Sequence, residues 1–365
     1  MPALYIHIPF CLRKCPYCDF YSVPFDEALA DKYTQTICGV LRSKRFDIGR
    51  VSTVYFGGGT PSLLSGRHIA AMLDAASQSC GIGDGAEITL ELNPAASANF
   101  RELRGIGINR LSIGVQSAIG SELAALGRLH TAEEARAAIL SAHDAGFDNI
   151  SADLMLGIPG QTPDTLARSI GFLAEMPVCH ISAYMLKIEE GTPFYDRGIS
   201  PDDDLAADLY LQTVQSLQRR GFAQYEISNF AKPGMYSRHN MVYWQLGDYL
   251  GLGPAAHSFL AGERFSFGRD MAAFSDNPMS ALKNEGPGGG CDEYIMLGLR
   301  LSEGLDLGEL ENRYNIDTAL FLKKAGPFIQ AKLAKLENGR LFLTPEGFLV
   351  SNGIIAGLTS AGLRF

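Results

Sequence analysis

The stretch ALYIHIPFCLRKCPYC, residues 3–18, joins a short run of strand character to three cysteines, Cys11, Cys15 and Cys18, set within eight residues. Asp19 and Phe20 follow, where a fourth thiol could stand. Zinc sites with close thiols take further Cys or His ligands elsewhere to complete a tetrahedron. A thioredoxin-like pair needs two thiols at a helix start. Iron–sulfur cubanes normally take one thiolate per iron, so three thiols leave one iron open to a ligand from outside the chain. The spacing of three residues and then two points to a 4Fe-4S cluster held by Cys11, Cys15 and Cys18. The other cysteines, Cys38, Cys80, Cys179 and Cys291, are isolated, and such residues usually behave as small buried apolar groups.

Working outward from the thiols, the first two-thirds of the chain repeats one grammar. ALYIHI (3–8), TVYFGG (53–58), EITLEL (87–92), RLSIGV (110–115), NISADLML (149–156) and HISAYML (180–186) read as strands. Longer helical patterns separate them, several opening at a capping residue (Ser65, Thr131, Thr162) and two ending at glycine (Gly146, Gly221). Such alternation implies parallel βαβ units, either an open barrel or a doubly wound sheet. The polar sequence decides between them. GGGTP (57–61), ELNP (91–94), GVQS (114–117), Asp153 with GIPGQT (157–162), and KIEEGTP (187–193) all fall at the carboxyl ends of strands, and the cysteines follow strand one on the same rim. Ligands bind at that end of parallel α/β folds. The expected fold is α/β, an open (β/α)6 partial TIM barrel with one site at its mouth.

Residues 224–260 break the repeat, being dense in aromatics and glycine and carrying two histidines, and NEGPGGGC (284–291) has the composition of a linker. Beyond it lie helical patterns and the hairpin-like GRLFLTPEGFLV, the shape of a small α+β, winged-helix-like module. The expected division is a core over 1–230, a connecting segment over 231–290 and a C-terminal domain over 291–365.

Composition narrows the function classes. A net charge of −9 and pI near 5.3 argue against nucleic acid as a partner, and 46% apolar with 19% charged residues is ordinary for a globular protein. No apolar run is long enough for a transmembrane segment, the N-terminus lacks the pattern of a secretory signal, and seven cysteines in this arrangement are no disulfide framework. These features point to the cytoplasm.

CLRKCPYC followed by GGGTP resembles the radical S-adenosylmethionine superfamily over about residues 4–230. That resemblance implies that the open iron is chelated by the methionine end of S-adenosylmethionine and that an unidentified electron donor serves the cluster. GGGTP by itself is weaker, since a glycine turn after a strand is often only tight geometry, and it lacks the lysine of a phosphate loop. YIHIPFC, GGGTPS, LELNP, LSIGVQS, ADLMLGIPGQT and GLGPAAHS resemble more closely the branch of oxygen-independent coproporphyrinogen III dehydrogenases, HemN-like proteins. Carried over residue by residue, that branch's cofactor contacts fall on Tyr5, Tyr17, Gly58, Gly59, Thr60, Glu91, Gln116, Arg128 and Asp153.

Two departures separate the chain from that enzyme. Phe20 stands where the enzyme has a further cysteine, and strand one begins near residue 3, whereas the enzyme has an extension before the barrel. Both match the sister family, HemW-type heme chaperones, whose HNxxYW signature falls on His239, Asn240, Met241, Val242, Tyr243 and Trp244. The resemblance implies heme and an unidentified heme-acceptor protein as partners, with His239, Asn240, Tyr243 and Trp244 holding the heme. His239 is then the expected axial ligand and His257 the second candidate, while His7 supports the cluster loop. The rival reading is an enzyme that oxidatively decarboxylates coproporphyrinogen III on the same cluster.

Overall fold

A computed structural model describes residues 1–96 and 98–359; the end of the C-terminal segment, 360–365, lies outside the described residues. Six strands run parallel in sequence order: β1 Ala3–Ile8, β2 Val51–Gly58, β3 Ile82–Leu92, β4 Arg110–Gln116, β5 Ile150–Leu156 and β6 His180–Met185. Helices cross between them: α1 Glu27–Arg42, α2 Gly66–Ser79, α3 Phe100–Gly105, α4 Ala132–Asp144 and α5 Pro163–Ala174. A sixth, α6 Asp203–Arg219, follows β6. This is the open (β/α)6 barrel. Thr131 and Thr162 cap α4 and α5 as expected, each within a capping box, and Gly146 follows α4 in the left-handed region with φ 90°.

Strand alternation sorts side chains between two environments. Leu4, Ile6 and Ile8 of β1 join helix residues such as Ile37 and Ile69 in the main apolar core. The other face is polar. Register sets Thr53 beside Glu87, Glu91 beside Ser112, and Ser151 beside both Ser112 and His180. Strands buried on both sides thus carry carboxylates, hydroxyls and imidazoles along one face, which a purely structural barrel would fill with aliphatic layers.

The sheet does not stop at six strands. On one side β6 pairs antiparallel with β8 Asn229–Ala231, which pairs with β7 Ala223–Gln224. On the other, β9 Tyr249–Leu252 lies parallel to β1, and β10 His257–Leu260, β11 Glu263–Phe267 and β12 Leu282–Pro287 continue it antiparallel. The linker expected at 284–291 is therefore half strand. Its first four residues form an edge paired to β11, and only 288–290 connect onward, to α8 Cys291–Gly298. Glycine and proline are tolerated there because an edge strand leaves one row of backbone groups unpaired. Between β8 and β9, α7 Arg238–Trp244 carries the HNxxYW sequence. The C-terminal region adds further helices and a three-stranded sheet of β13 Leu305–Asp306, β14 Ala334–Glu337 and β15 Arg340–Leu343, with β15 central.

Candidate functional site

The cysteine loop leaves the carboxyl end of β1 and is pinched shut at its neck. Phe10 and Cys11 pair with Val23 and Pro24, through Val23 N to Pro9 O at 2.7 Å and Phe25 N to Cys11 O at 3.1 Å. Its far side is clamped as well. Phe194 donates its N–H to Pro16 O at 3.0 Å, and Gly127 lies so close that a β-carbon there would sit 2.8 Å from Pro16 Cδ. All three thiols are partly exposed on this held loop, and their sulfurs do not all come within 4.8 Å of one another as ligands of one ion would. Spaced thiolates that converge on one rim fit a multi-iron cluster better than a single zinc. Burial, reinforced by Cys15 and Cys11, pushes the Cys18 thiol up, a cost that bound iron would cancel by holding thiolates.

Around the thiols stand the residues carried over from the family pattern. Thr60 Oγ1 is 3.7 Å from Cys11 Sγ, and Arg128 Nη1 is 3.8 Å from Cys15 Sγ. Arg128 Nη2 also donates to Gly114 O at 2.7 Å, while its Nε is buried without a partner among the described residues. Gln116 ends β4 at a register shift, with φ 67° and a buried Oε1 that has no partner among the described residues. A non-glycine residue in the left-handed region with an orphaned acceptor marks strain kept for a purpose. Gly114 makes room for both side chains, since a β-carbon there would lie 3.1 Å from Arg128 and 3.2 Å from Gln116.

The glycine run has a job defined by the protein itself. Glu91 accepts the Tyr55 hydroxyl at 2.8 Å and the Gly58 N–H at 2.9 Å, which fixes the turn at φ 114°. A β-carbon on Gly58 would lie 2.5 Å from the His7 ring, and one on Gly59 2.5 Å from Phe10 O. His7 is buried; its Nε2 donates to Tyr21 O at 2.9 Å, so its Nδ1 accepts from Tyr5 OH at 3.0 Å. Burial lowers its pKa to about 4, so the ring is a neutral strut between β1 and the exit of the cysteine loop. Asp153 accepts from Ser112 at 3.3 Å, and burial together with the Glu91 charge raises it to about 7. The donors Thr60 and Arg128, the orphaned acceptor Gln116 and the half-buried carboxyls of Glu91 and Asp153 line one mouth beside the thiols. Such a set fits an amino acid and ribose in contact with a cluster.

The HNxxYW residues sit elsewhere. α7 plugs the opposite end of the barrel, and Glu87 caps its start, accepting from Arg238 N at 3.1 Å and His239 N at 3.0 Å. His239 is 1% exposed; Nδ1 is 2.8 Å from Thr53 Oγ1, Nε2 is 2.7 Å from Tyr243 OH, and Tyr55 stacks on the ring at 4.9 Å. Both nitrogens are engaged, and burial drops the pKa to about 3. As placed, the ring offers no free nitrogen to iron, which the expectation of an axial ligand at the barrel mouth requires. Asn240 is half-buried in the same helix, with its N–H on Ser237 Oγ at 3.5 Å. Trp244 is half-buried under the Arg300 guanidinium, 6.0 Å from the ring centre. Tyr243 reaches toward a cleft described below, and Met241 lines a separate cavity with Tyr225 and Tyr236.

Glu87, Arg110, Tyr55 and His180 were not among the expected site residues, yet all face the same polar interior. His180 is held between Ser151 Oγ at 2.7 Å and Tyr225 OH at 2.8 Å, and Arg110 is almost fully buried. Their signal in the sequence is polar residues at alternate positions of strands that are buried on both sides.

Among known proteins, the radical SAM superfamily matches residues 5–173 and the HemN C-terminal domain residues 292–350. The heme chaperone HemW of Mycobacterium tuberculosis is 33% identical over 98% of this chain and 94% of its own length. This chain belongs to the HemW family. HemW of Escherichia coli is 41% identical over 70% of this chain and 69% of its own. The bovine radical S-adenosyl methionine domain-containing protein 1, mitochondrial, is 40% identical over 70% of this chain and 60% of its own. In structure, the coproporphyrinogen III oxidase HemN of E. coli superposes with a TM-score of 0.84 over 99% of this chain and 90% of that one, at 23% identity. This HemW-family chain thus shares the fold of that oxidase, barrel and C-terminal module together.

Proposed function

We infer that the protein is a heme chaperone, which binds heme and passes it to an acceptor protein while holding a 4Fe-4S cluster and S-adenosylmethionine at the barrel mouth. The likeness to HemW across nearly the whole of both chains carries this reading. Cys11, Cys15 and Cys18 would hold the cluster. Tyr5, Tyr17, Gly58, Gly59, Thr60, Glu91, Gln116, Arg128 and Asp153 would hold the cofactor, with Arg128 and Gln116 supplying otherwise unpartnered polar atoms. When bound, the cluster supplies a single electron at an iron left open for the cofactor's amino and carboxylate groups. The chain's own contribution is to clamp the loop, shape the glycine turn through Glu91 and keep the mouth's carboxyls largely dry. Seven cysteines, all free, suit a reducing compartment, and we place the protein in the cytoplasm. Among the described residues no helix is long and apolar enough to cross a membrane. The division into a core to 230, a segment to 290 and a C-terminal unit completes the proposal.

The test is to add hemin anaerobically to reconstituted protein and follow the Soret band, then to mix with apomyoglobin as acceptor. One equivalent of bound hemin, transferred to apomyoglobin, is expected. Absence of hemin binding overturns the reading. A parallel incubation with coproporphyrinogen III is expected to yield no protoporphyrinogen IX, since Phe20 replaces the enzyme's further cysteine; conversion would restore the enzyme class.

A further inference from the structure

Beside the cysteine loop, on the side of β1 that meets β9, lies an open cleft of about 340 Å³. Its walls are aromatic: Tyr5, Tyr21, Tyr243, Tyr249 and the 65%-exposed Phe20. One imidazole faces it unburied. His257, at the start of β10, keeps 62% of its side chain exposed, and its Nδ1 lies 3.4 Å from Glu285 Oε1 on β12. Nε2 has no protein partner among the described residues. A metal-binding histidine commonly donates its second ring N–H to a carboxylate, which fixes the tautomer and raises the basicity of the donor nitrogen. Glu285 is placed for that by the approach of its Oε1 to the ring Nδ1. Arg269, half-exposed on the same cleft, brings a guanidinium that now pairs with Asp19 at 3.0 Å. Two residues before His257, Ala255 turns the chain through the left-handed region at φ 65°.

We propose that this cleft is the heme site, with His257 Nε2 as axial iron donor, Glu285 orienting it, and Arg269 pairing with a propionate. The inference rests on the heme-chaperone reading and assigns its cargo to particular residues. Heme needs an axial donor, flat apolar walls and a cation for its carboxylates, and this cleft holds all three. Its volume lies at the low end of ligand pockets, so the porphyrin sits edge-in with one side in solvent, as cargo due for release should. His239 acts one step back. Its ring holds Tyr243, and Tyr243 packs edge-on to Tyr249 at 4.5 Å, so the signature helix positions the cleft's inner wall without touching iron.

Hemin titration of the full-length, cluster-loaded protein tests this, with His257→Ala, His257→Gly, Glu285→Gln and His239→Gln beside the parent. His257 is exposed, so its replacement leaves folding and iron content unchanged. Expected for His257→Ala is a loss of at least tenfold in hemin affinity and a displaced Soret band, and added imidazole should restore the parent spectrum in His257→Gly. Glu285→Gln should weaken binding several-fold, whereas His239→Gln should keep the Soret position. If the parent binds hemin and His257→Ala binds it equally well with the same spectrum, this site is wrong while the chaperone reading stands. If the parent binds none, both fall together.

Discussion

The backbone N–H of His239 donates to the Glu87 carboxylate at 3.0 Å, fastening the signature helix into one end of the barrel. Glu87 also takes the Arg238 N–H, and among the charges acting on the buried Arg110 it is the strongest favourable one. Removing the carboxylate leaves two helix-start N–H groups and a buried guanidinium undercompensated. Glu87→Ala is expected to cost about 3 kcal/mol or more in urea unfolding, on the scale of losing charged hydrogen bonds and one side of a buried charge pair. A loss below about 1 kcal/mol would mean that water or a neighbour replaces Glu87.

Iron content should follow the thiols and no others. Cys11→Ala, Cys15→Ala and Cys18→Ala should each strip the iron after anaerobic reconstitution, because no other cysteine is seen beside them on the rim. Cys38→Ala and Cys179→Ala, buried in the apolar interior, should keep the iron and lose only a little stability, and Cys80→Ala and Cys291→Ala should do the same. Full iron retention in the triple variant would refute the assignment.

Glycine substitutions in the turn should rank by what the new methyl meets. At Gly59 it meets the Phe10 carbonyl, backbone that cannot swing aside; at Gly58 it meets the His7 ring with φ already at 114°. At Gly57 it meets the Tyr55 ring at 2.7 Å and the Glu91 side chain at 3.0 Å, which can shift a little. Thermal unfolding and iron content are therefore expected to suffer more in Gly58→Ala and Gly59→Ala than in Gly57→Ala. The reverse order would show that the turn is not held as described.

How much of this the sequence disclosed depended on which physical signal carried it. The six parallel strands were legible because each pairs a β-branched run with a following capped helix. The mouth was legible because polar residues cluster at strand ends, as Gln116 and Glu91 do. The placement of the signature helix was not. HNMVYW has the composition of a porphyrin contact, and only the long-range bonds from Thr53 and Glu87 turn it inward to plug the barrel. The continuation of the sheet past residue 249 was equally hidden, since NEGPGGGC has linker composition and its first half becomes strand only by pairing with Glu263–Phe267. Long-range pairing of that kind leaves no local trace.

Stability should peak in mildly acidic solution, by opposing titrations. Burial raises Asp153 from 3.8 to about 7 and Glu226 from 4.5 to about 7, so the stability tied to their neutral forms is complete at low pH and disappears as pH rises through 7. Burial lowers His7 and His130 to about 4 and His239 to about 3, so their contribution is complete above 6.5 and is lost as pH falls toward those values. Between those limits the two groups oppose each other, and above 6.5 only the carboxyls act. The cluster-free protein is expected to lose stability from pH 6.5 to 8, and Asp153→Asn should shrink that limb to the part due to Glu226 while steepening the rise between about 4 and 6.5, where Asp153 opposes the histidines. An unchanged alkaline slope in Asp153→Asn would show that Asp153 is not held neutral by the barrel.

Trp244 gives a binding readout that does not depend on which histidine meets iron. It is the chain's only tryptophan, half-buried beneath Arg300 and one residue after Tyr243, which walls the aromatic cleft. Porphyrin absorbs where indole emits, so heme anywhere near this end of α7 should quench the emission by energy transfer. Anaerobic titration with hemin is expected to quench it with a break at one equivalent, in step with the Soret band. His239→Gln should leave the quenching intact, whereas His257→Ala should move the break to higher hemin concentration. Heme bound with full Trp244 emission would place it far from this helix and exclude both the signature residues and the cleft.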